Sequence, residues 1–81
     1  MDLIPGKLYQ VTPKKEYVII WSKDMNHGEK IYEKEIFLVL EALEILSVKY
    51  TYKEIMILRK TGFIGTLWVN EHNSEIIEIK E

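Results

Sequence analysis

Apolar residues along this chain fall into short runs, and polar or turn-forming residues bound each run. Leu8-Tyr9-Gln10-Val11 lies between Pro5-Gly6 and Pro13, so turn signals stand at both ends of an expected short strand. Residues 16–21 contain Tyr17-Val18-Ile19-Ile20-Trp21. Its β-branched and aromatic side chains fit a pleated surface and make an uncomfortable helix. Residues 22–33 are polar, with Asn26 and Gly28 as turn formers, and read as a long loop. Binding residues concentrate on loops of this kind.

Residues 33–50 are ambiguous. Lys34, Glu41, Glu44 and Val48 fall near one helical face, which permits a helix and hence an α+β fold. Ile36-Phe37-Leu38-Val39-Leu40 lacks clean alternation, as a strand buried on both sides would. The β-branched and aromatic content favours a strand over residues 35–43, followed by a turn or irregular patch over residues 44–51. Residues 52–59 read as another strand. Lys60-Thr61-Gly62 leads into residues 63–69, and a polar turn ending in Gly between two β-rich runs predicts a hairpin. Gly65 inside the second run predicts a bulge or a close backbone approach. Residues 70–74 are expected as a short turn or 3-10 segment, and residues 75–79 as the last strand. Five or six short strands with a tight hairpin predict an all-β fold, a small barrel formed as one domain over residues 1–81.

Composition strengthens the strand reading of the ambiguous segment. The 81 residues include 12 Ile, 5 Val and 4 Thr but only 1 Ala, the best helix former. Cysteine is absent, so neither disulfides nor a thiolate metal site staples the core, which stands on packing alone. Phe37 and Phe63 are its expected aromatic members.

Charge narrows the partners. Lys plus Arg is 11 and Asp plus Glu is 13, giving a net charge of −2. Nucleic-acid binders usually carry a basic surplus, because phosphate neutralisation drives their affinity. The densest basic and aromatic interleaving is Lys49-Tyr50-Thr51-Tyr52-Lys53, which could stack on single-stranded nucleic acid. A nucleic-acid-binding small barrel is therefore the alternative to a protein-binding one. The opening Met1-Asp2-Leu3-Ile4-Pro5-Gly6 lacks the basic and long apolar regions of a signal peptide. The five apolar residues of Ile36 to Leu40 fall far short of the ~18 that span a membrane. A cytoplasmic protein with no membrane contact is expected.

Catalytic constellations are not visible. Ser22, Ser47 and Ser74 lack a Gly-x-Ser-x-Gly context. His27 could join Asp24 and Glu29, and His72 could join Glu71 and Glu75, but exposed turn histidines beside acids are common and a metal needs several converging ligands. The four glycines form neither a dinucleotide fingerprint nor a P-loop. Glutamates alternating with apolar residues read as solvated strand faces that also protect sheet edges. A non-enzymatic chain with no cofactor and no metal is expected.

The order of elements resembles a known family. Tyr52-Lys53-Glu54-Ile55-Met56-Ile57-Leu58-Arg59-Lys60-Thr61-Gly62-Phe63-Ile64-Gly65-Thr66-Leu67 is similar to the central hairpin of SH3-like barrels, especially the bacterial type. Lys34-Glu35-Ile36-Phe37-Leu38-Val39-Leu40 is similar to the strand before that hairpin. Pro5-Gly6-Lys7-Leu8-Tyr9-Gln10-Val11 resembles the opening of small SH3-like accessory proteins of large tailed bacteriophages. The resemblance implies an SH3-like barrel that engages a host or viral protein, in the host cytoplasm if the chain is of phage origin. It also implies a binding groove that, mapped by element order, draws on Trp21, Tyr32, Tyr50 and Tyr52. Trp68 joins them as a further aromatic contact candidate, since Tyr and Trp make rigid amphipathic anchors.

Overall fold

The computed structural model of the chain describes residues 3–46 and 51–80. Seven strands form one antiparallel sheet: β1 (Leu8–Pro13), β2 (Val18–Trp21), β3 (Gly28–Ile31), β4 (Glu35–Leu46), β5 (Thr51–Leu58), β6 (Ile64–Val69) and β7 (Ser74–Glu78). Their spatial order is β3-β2-β6-β5-β4-β1-β7. The sheet curls into a half-barrel of the small β-barrel class, and no helix occurs among the described residues. Residues 35–46 are therefore strand, which decides this part of the ambiguous segment against a helix.

The strand count exceeds the expected five or six, and β3 is the addition. It lies inside the stretch read as a loop because Gly28-Glu29-Lys30-Ile31 holds a single β-branched residue. At a sheet edge that suffices: Ile31 is 5% exposed and faces the core, while β2 supplies the hydrogen-bonding partner. The true connection is a tight turn over residues 22–27. Ser22 N–H donates to the His27 carbonyl at 2.8 Å, and Met25 takes a φ of 62° at the tip. Of the irregular patch expected over residues 44–51, Glu44 to Leu46 continue β4 and Thr51 opens β5, while residues 47–50 lie outside the described residues.

β4 explains its own unclear pattern. Phe37 and Val39 are each 1% exposed and face the core. Val39 pairs with Ile57, yet Glu41 pairs with Met56, so Leu40 is an extra residue with no partner on β5. A bulge of this kind bends and twists the strand. It also changes the parity: beyond it the core-facing side chain is Ala42, opposite Ile55, rather than an odd-numbered residue. Two segments of perfect alternation joined out of phase look like a run buried on both sides.

The concave face holds the core: Tyr9, Val11, Ile20, Phe37, Val39, Ile55, Ile57, Leu67 and Val69 are all nearly inaccessible. The hydroxyl of Tyr9 stays satisfied by accepting the Ile4 N–H at 2.7 Å. Phe63, expected inside, is only partly buried. It packs on the edge of the core, with the His27 ring 6.2 Å away. The predicted hairpin joins β5 to β6, with Gly62 at φ 93° donating its N–H to the Arg59 carbonyl. Gly65 makes a close approach instead of a bulge, since a Cβ there would sit 2.5 Å from the Trp21 carbonyl oxygen. Residues 70–73 form a turn: Asn70 Oδ1 accepts the N–H groups of His72 and Asn73, and Asn73 Oδ1 accepts that of Asn70.

One polar cluster ties distant strands. Arg59 grips Glu35 with a two-pronged contact, Nε to Oε2 at 2.7 Å and Nη2 to Oε1 at 2.9 Å. Its Nη1 reaches Glu29 Oε1 at 2.5 Å. Glu29 lies on β3 and Glu35 on β4, strands that do not pair, so the guanidinium bridges the two sides of the half-barrel. The bonds to Glu35 are the main reason the guanidinium is held above its ordinary pKa, with Glu29 adding to the effect.

Two outcomes test this account. Gly65→Ala forces a methyl into the β2 backbone and should cost about 1–3 kcal/mol in urea unfolding. Arg59→Ala strands two half-buried carboxylates and should cost about 1–3 kcal/mol, read as a thermal midpoint lowered by roughly 5–15 °C. Arg59→Lys should recover only part of this, because an ammonium cannot reproduce the fork.

Candidate interaction surface

Neighbouring residues on a strand point to opposite faces, so the core assignments fix what the other face carries. With Val18 and Ile20 inside, Ile19 and Trp21 point outward on β2. Likewise β5 turns Tyr52, Glu54, Met56 and Leu58 outward, and β6 turns out Ile64, Thr66 and Trp68. Three of the five aromatic candidates, Trp21, Tyr52 and Trp68, therefore share the convex face.

Register brings them near one another. Trp21 stands opposite Thr66, which stands opposite Met56, and Thr66 is only 9% exposed although it faces outward. The neighbouring outward side chains cover it. Trp68 stands opposite Glu54, and its indole Nε1–H donates to Glu54 Oε1 at 2.9 Å. This bond fixes the ring plane and satisfies the one polar atom of the tryptophan. Tyr52, Trp68, Asn70 and Asn73 line a recess of 350 Å³. A second recess of 280 Å³ shares Tyr52 and Asn70 and extends past Lys53 and Val69 to Leu3 and Ile76. The Ser74 hydroxyl, buried in its wall, has no hydrogen-bond partner.

Tyr32 sits elsewhere. It follows β3 at the sheet edge, is 63% exposed, and meets Tyr17 edge-to-face with ring centroids 5.8 Å apart. The Lys30 ammonium lies 4.6 Å from the Tyr17 ring centre, so this edge is a separate small cation–aromatic cluster. Tyr50 lies outside the described residues. The implied groove thus resolves into an outward group of Trp21, Tyr52 and Trp68 and an edge pair of Tyr17 and Tyr32. Tyr17 was not singled out by the sequence, because its pairing with Tyr32 depends on β3.

Of the basic and aromatic stretch over residues 49–53, residues 51–53 are described. Tyr52 points outward, and Lys53 lies on the opposite side of the strand. Both residues nonetheless line the 280 Å³ recess at this end of the sheet. His27 lies 3.8 Å from Glu29 and His72 lies 3.9 Å from Glu71, in different turns and both largely exposed. Among the described residues no group of three His, Cys, Asp or Glu converges as a metal site. No helix among them is long and apolar enough to cross a membrane.

Sequence reasoning overlooked most of this convex face. Leu8, Leu38, Leu58 and Ile64 form one continuous row across β1, β4, β5 and β6. Leu43, 61% exposed, lies beyond it on β4. The signal was present as apolar residues at both parities of the same strands, which a sheet solvated on one face does not need. No known protein family matches the chain, and neither a curated protein nor a solved structure matches it.

One carboxylate organises the turn over residues 22–27. Asp24 Oδ1 accepts the Ser22 hydroxyl at 2.6 Å and the Asn26 N–H at 3.0 Å. These bonds, Ser22's first, hold the carboxyl below its ordinary value of 3.8. A depressed folded value means that the contribution is present above 3.8 and lost as pH falls through the folded value. Amide resonances of Asn26 and His27 should therefore shift together on acidification, followed by NMR, and Asp24→Asn should abolish that step.

Proposed function

We propose that this chain is a small non-enzymatic protein-interaction module of the SH3-like type. Its partner docks on the convex sheet face carrying Trp21, Tyr52 and Trp68. One observation carries the reading: the face of the sheet that does not build the core is apolar and aromatic. Across β1, β4, β5 and β6, Glu41 and Glu54 are the only charged outward residues among those described. A monomer rarely exposes so continuous an apolar surface unless something covers it. Tryptophan and tyrosine within it supply the rigid anchors on which interfaces concentrate their energy.

The resemblance of residues 52–67 to the central SH3 hairpin supports the module type. The resemblance of Pro5 to Val11 supports an origin among accessory proteins of large tailed phages, acting in the host cytoplasm on a host or viral protein. The sparse charge of the convex face disfavours a nucleic-acid ligand, whose binding needs a basic track.

Affinity capture from phage-infected or host lysate tests the reading. Wild-type protein should retain a defined partner, and the Tyr52→Ala/Trp68→Ala double variant should lose it while keeping its far-UV circular dichroism. Capture unchanged in that variant would remove the aromatic surface from the function. Retention on single-stranded DNA that declines steeply with salt would replace a protein partner with a nucleic acid.

A further inference from the structure

On the concave side the core gives way to a hollow at one end. Lys53 takes the core-facing position of β5 next before Ile55, and Val69 ends the core-facing row of β6. Ser74 and Ile76 begin that of β7. With Leu3 these residues wall the recess of 280 Å³, and the largely exposed Glu71 stands at its rim. The hollow is thus the mouth of the half-barrel, a common place for small-molecule sites. Its size is near the ~300 Å³ at which such pockets begin.

Two features set this recess apart from the other hollows of the molecule. The first is Ser74, 4% exposed, whose hydroxyl is out of reach of water and has no hydrogen-bond partner. A buried hydroxyl left so costs stability, and native structures rarely keep one without a use. The second is a pair of opposite charges that do not neutralise each other. Lys53 forms no ion pair among the described residues, although Glu44 stands opposite it on β4. The Glu71 carboxylate lies 3.9 Å from His72 and makes no ion pair with Lys53. A simple anion in the recess would meet Glu71, and a simple cation would meet Lys53. A ligand carrying both charges gains from each.

We infer that this recess binds a free α-amino acid with an apolar side chain. The ligand carboxylate lies toward the Lys53 ammonium and its ammonium toward the Glu71 carboxylate. Its side chain rests on Leu3, Val69 and Ile76. The Ser74 hydroxyl joins by one staggered step about its single side-chain torsion, which turns it into the recess as a donor to the ligand carboxylate. Size agrees with this class of ligand. At about 30 Å³ per non-hydrogen atom, as in liquid water, the recess of 280 Å³ holds roughly nine, the size of leucine. The site is separate from the convex face proposed for a protein partner, and Tyr52 is the one aromatic of that face that also reaches it.

An NMR titration of the full chain with leucine tests it, up to about 20 mM, where a Kd on the order of 1 mM leaves the site nearly full. Amide resonances of Lys53, Val69, Ser74 and Ile76 should shift and saturate together. Two analogues each remove one charge: 4-methylpentanoate lacks the ammonium and 3-methylbutylamine lacks the carboxylate. Each should bind at least ten-fold more weakly than leucine. Ser74→Ala should weaken leucine binding about ten-fold, while the thermal midpoint without ligand holds or rises, because the variant no longer buries an unpartnered hydroxyl. Lys53→Met, which keeps the apolar stem, should weaken binding by a similar factor. No saturable shift at about 20 mM overturns the proposal. Equal binding of either analogue overturns it too, by showing that one of the two charges takes no part. Unchanged affinity in Ser74→Ala likewise overturns it, by leaving the buried hydroxyl outside the site.

Discussion

The architecture depends on one extra residue in β4. This strand is the longest in the molecule, at 12 residues, and it pairs with β1 through its first part and with β5 along nearly all of its length. A strand that long in a small curled sheet must bend, and the bulge at Leu40 supplies the bend. The inserted residue also shifts the alternation by one. Phe37 and Val39 face the core before it and Ala42 after it, so both halves of the strand serve the same interior. Without that shift, one half would turn its core side chains to the outside.

The curl then creates two problems that the chain meets in different ways. An open sheet has two edges, and here they are β3 and β7. β3 is short and carries Lys30, β7 carries Glu75 and Glu78, and charges at edges discourage strand addition. The second problem is holding the two sides of the half-barrel together without a closing strand pair. Arg59 does this from the end of β5, through Glu35 on β4 and Glu29 on β3. A half-buried guanidinium with both of its sides occupied by carboxylates is well satisfied, so it constrains geometry without leaving a buried charge unpaired.

The convex face links this scaffold to the role proposed for it. Curvature gathers the core on the concave side, yet the outward positions of β4, β5 and β6 remain apolar. Thr66 is almost covered by its outward neighbours, and Trp68 has its only polar atom bonded to Glu54. Such a surface is preorganised: its side chains already support one another, so a partner need order little on docking.

Much of the fold was legible along the chain. β-Branching and the near absence of alanine marked the strands, and Gly62 marked the hairpin. The place of Gly65 inside a strand left a bulge or a close backbone approach, and the nearby Trp21 carbonyl decided for the approach. These are local properties, carried by the residues that adopt the conformation. Other features were set by partners distant in sequence. Edge strand β3 forms because β2 offers it hydrogen bonds, not because its own residues favour a strand. The aromatic candidates were visible by type, but Trp21, Tyr52 and Trp68 share a face while Tyr32 joins Tyr17 at an edge. The chain alone therefore determined that this protein is built of strands. Tertiary structure decided which side of each strand faces water, because a single bulge at Leu40 reverses that choice and only pairing with β5 reveals it.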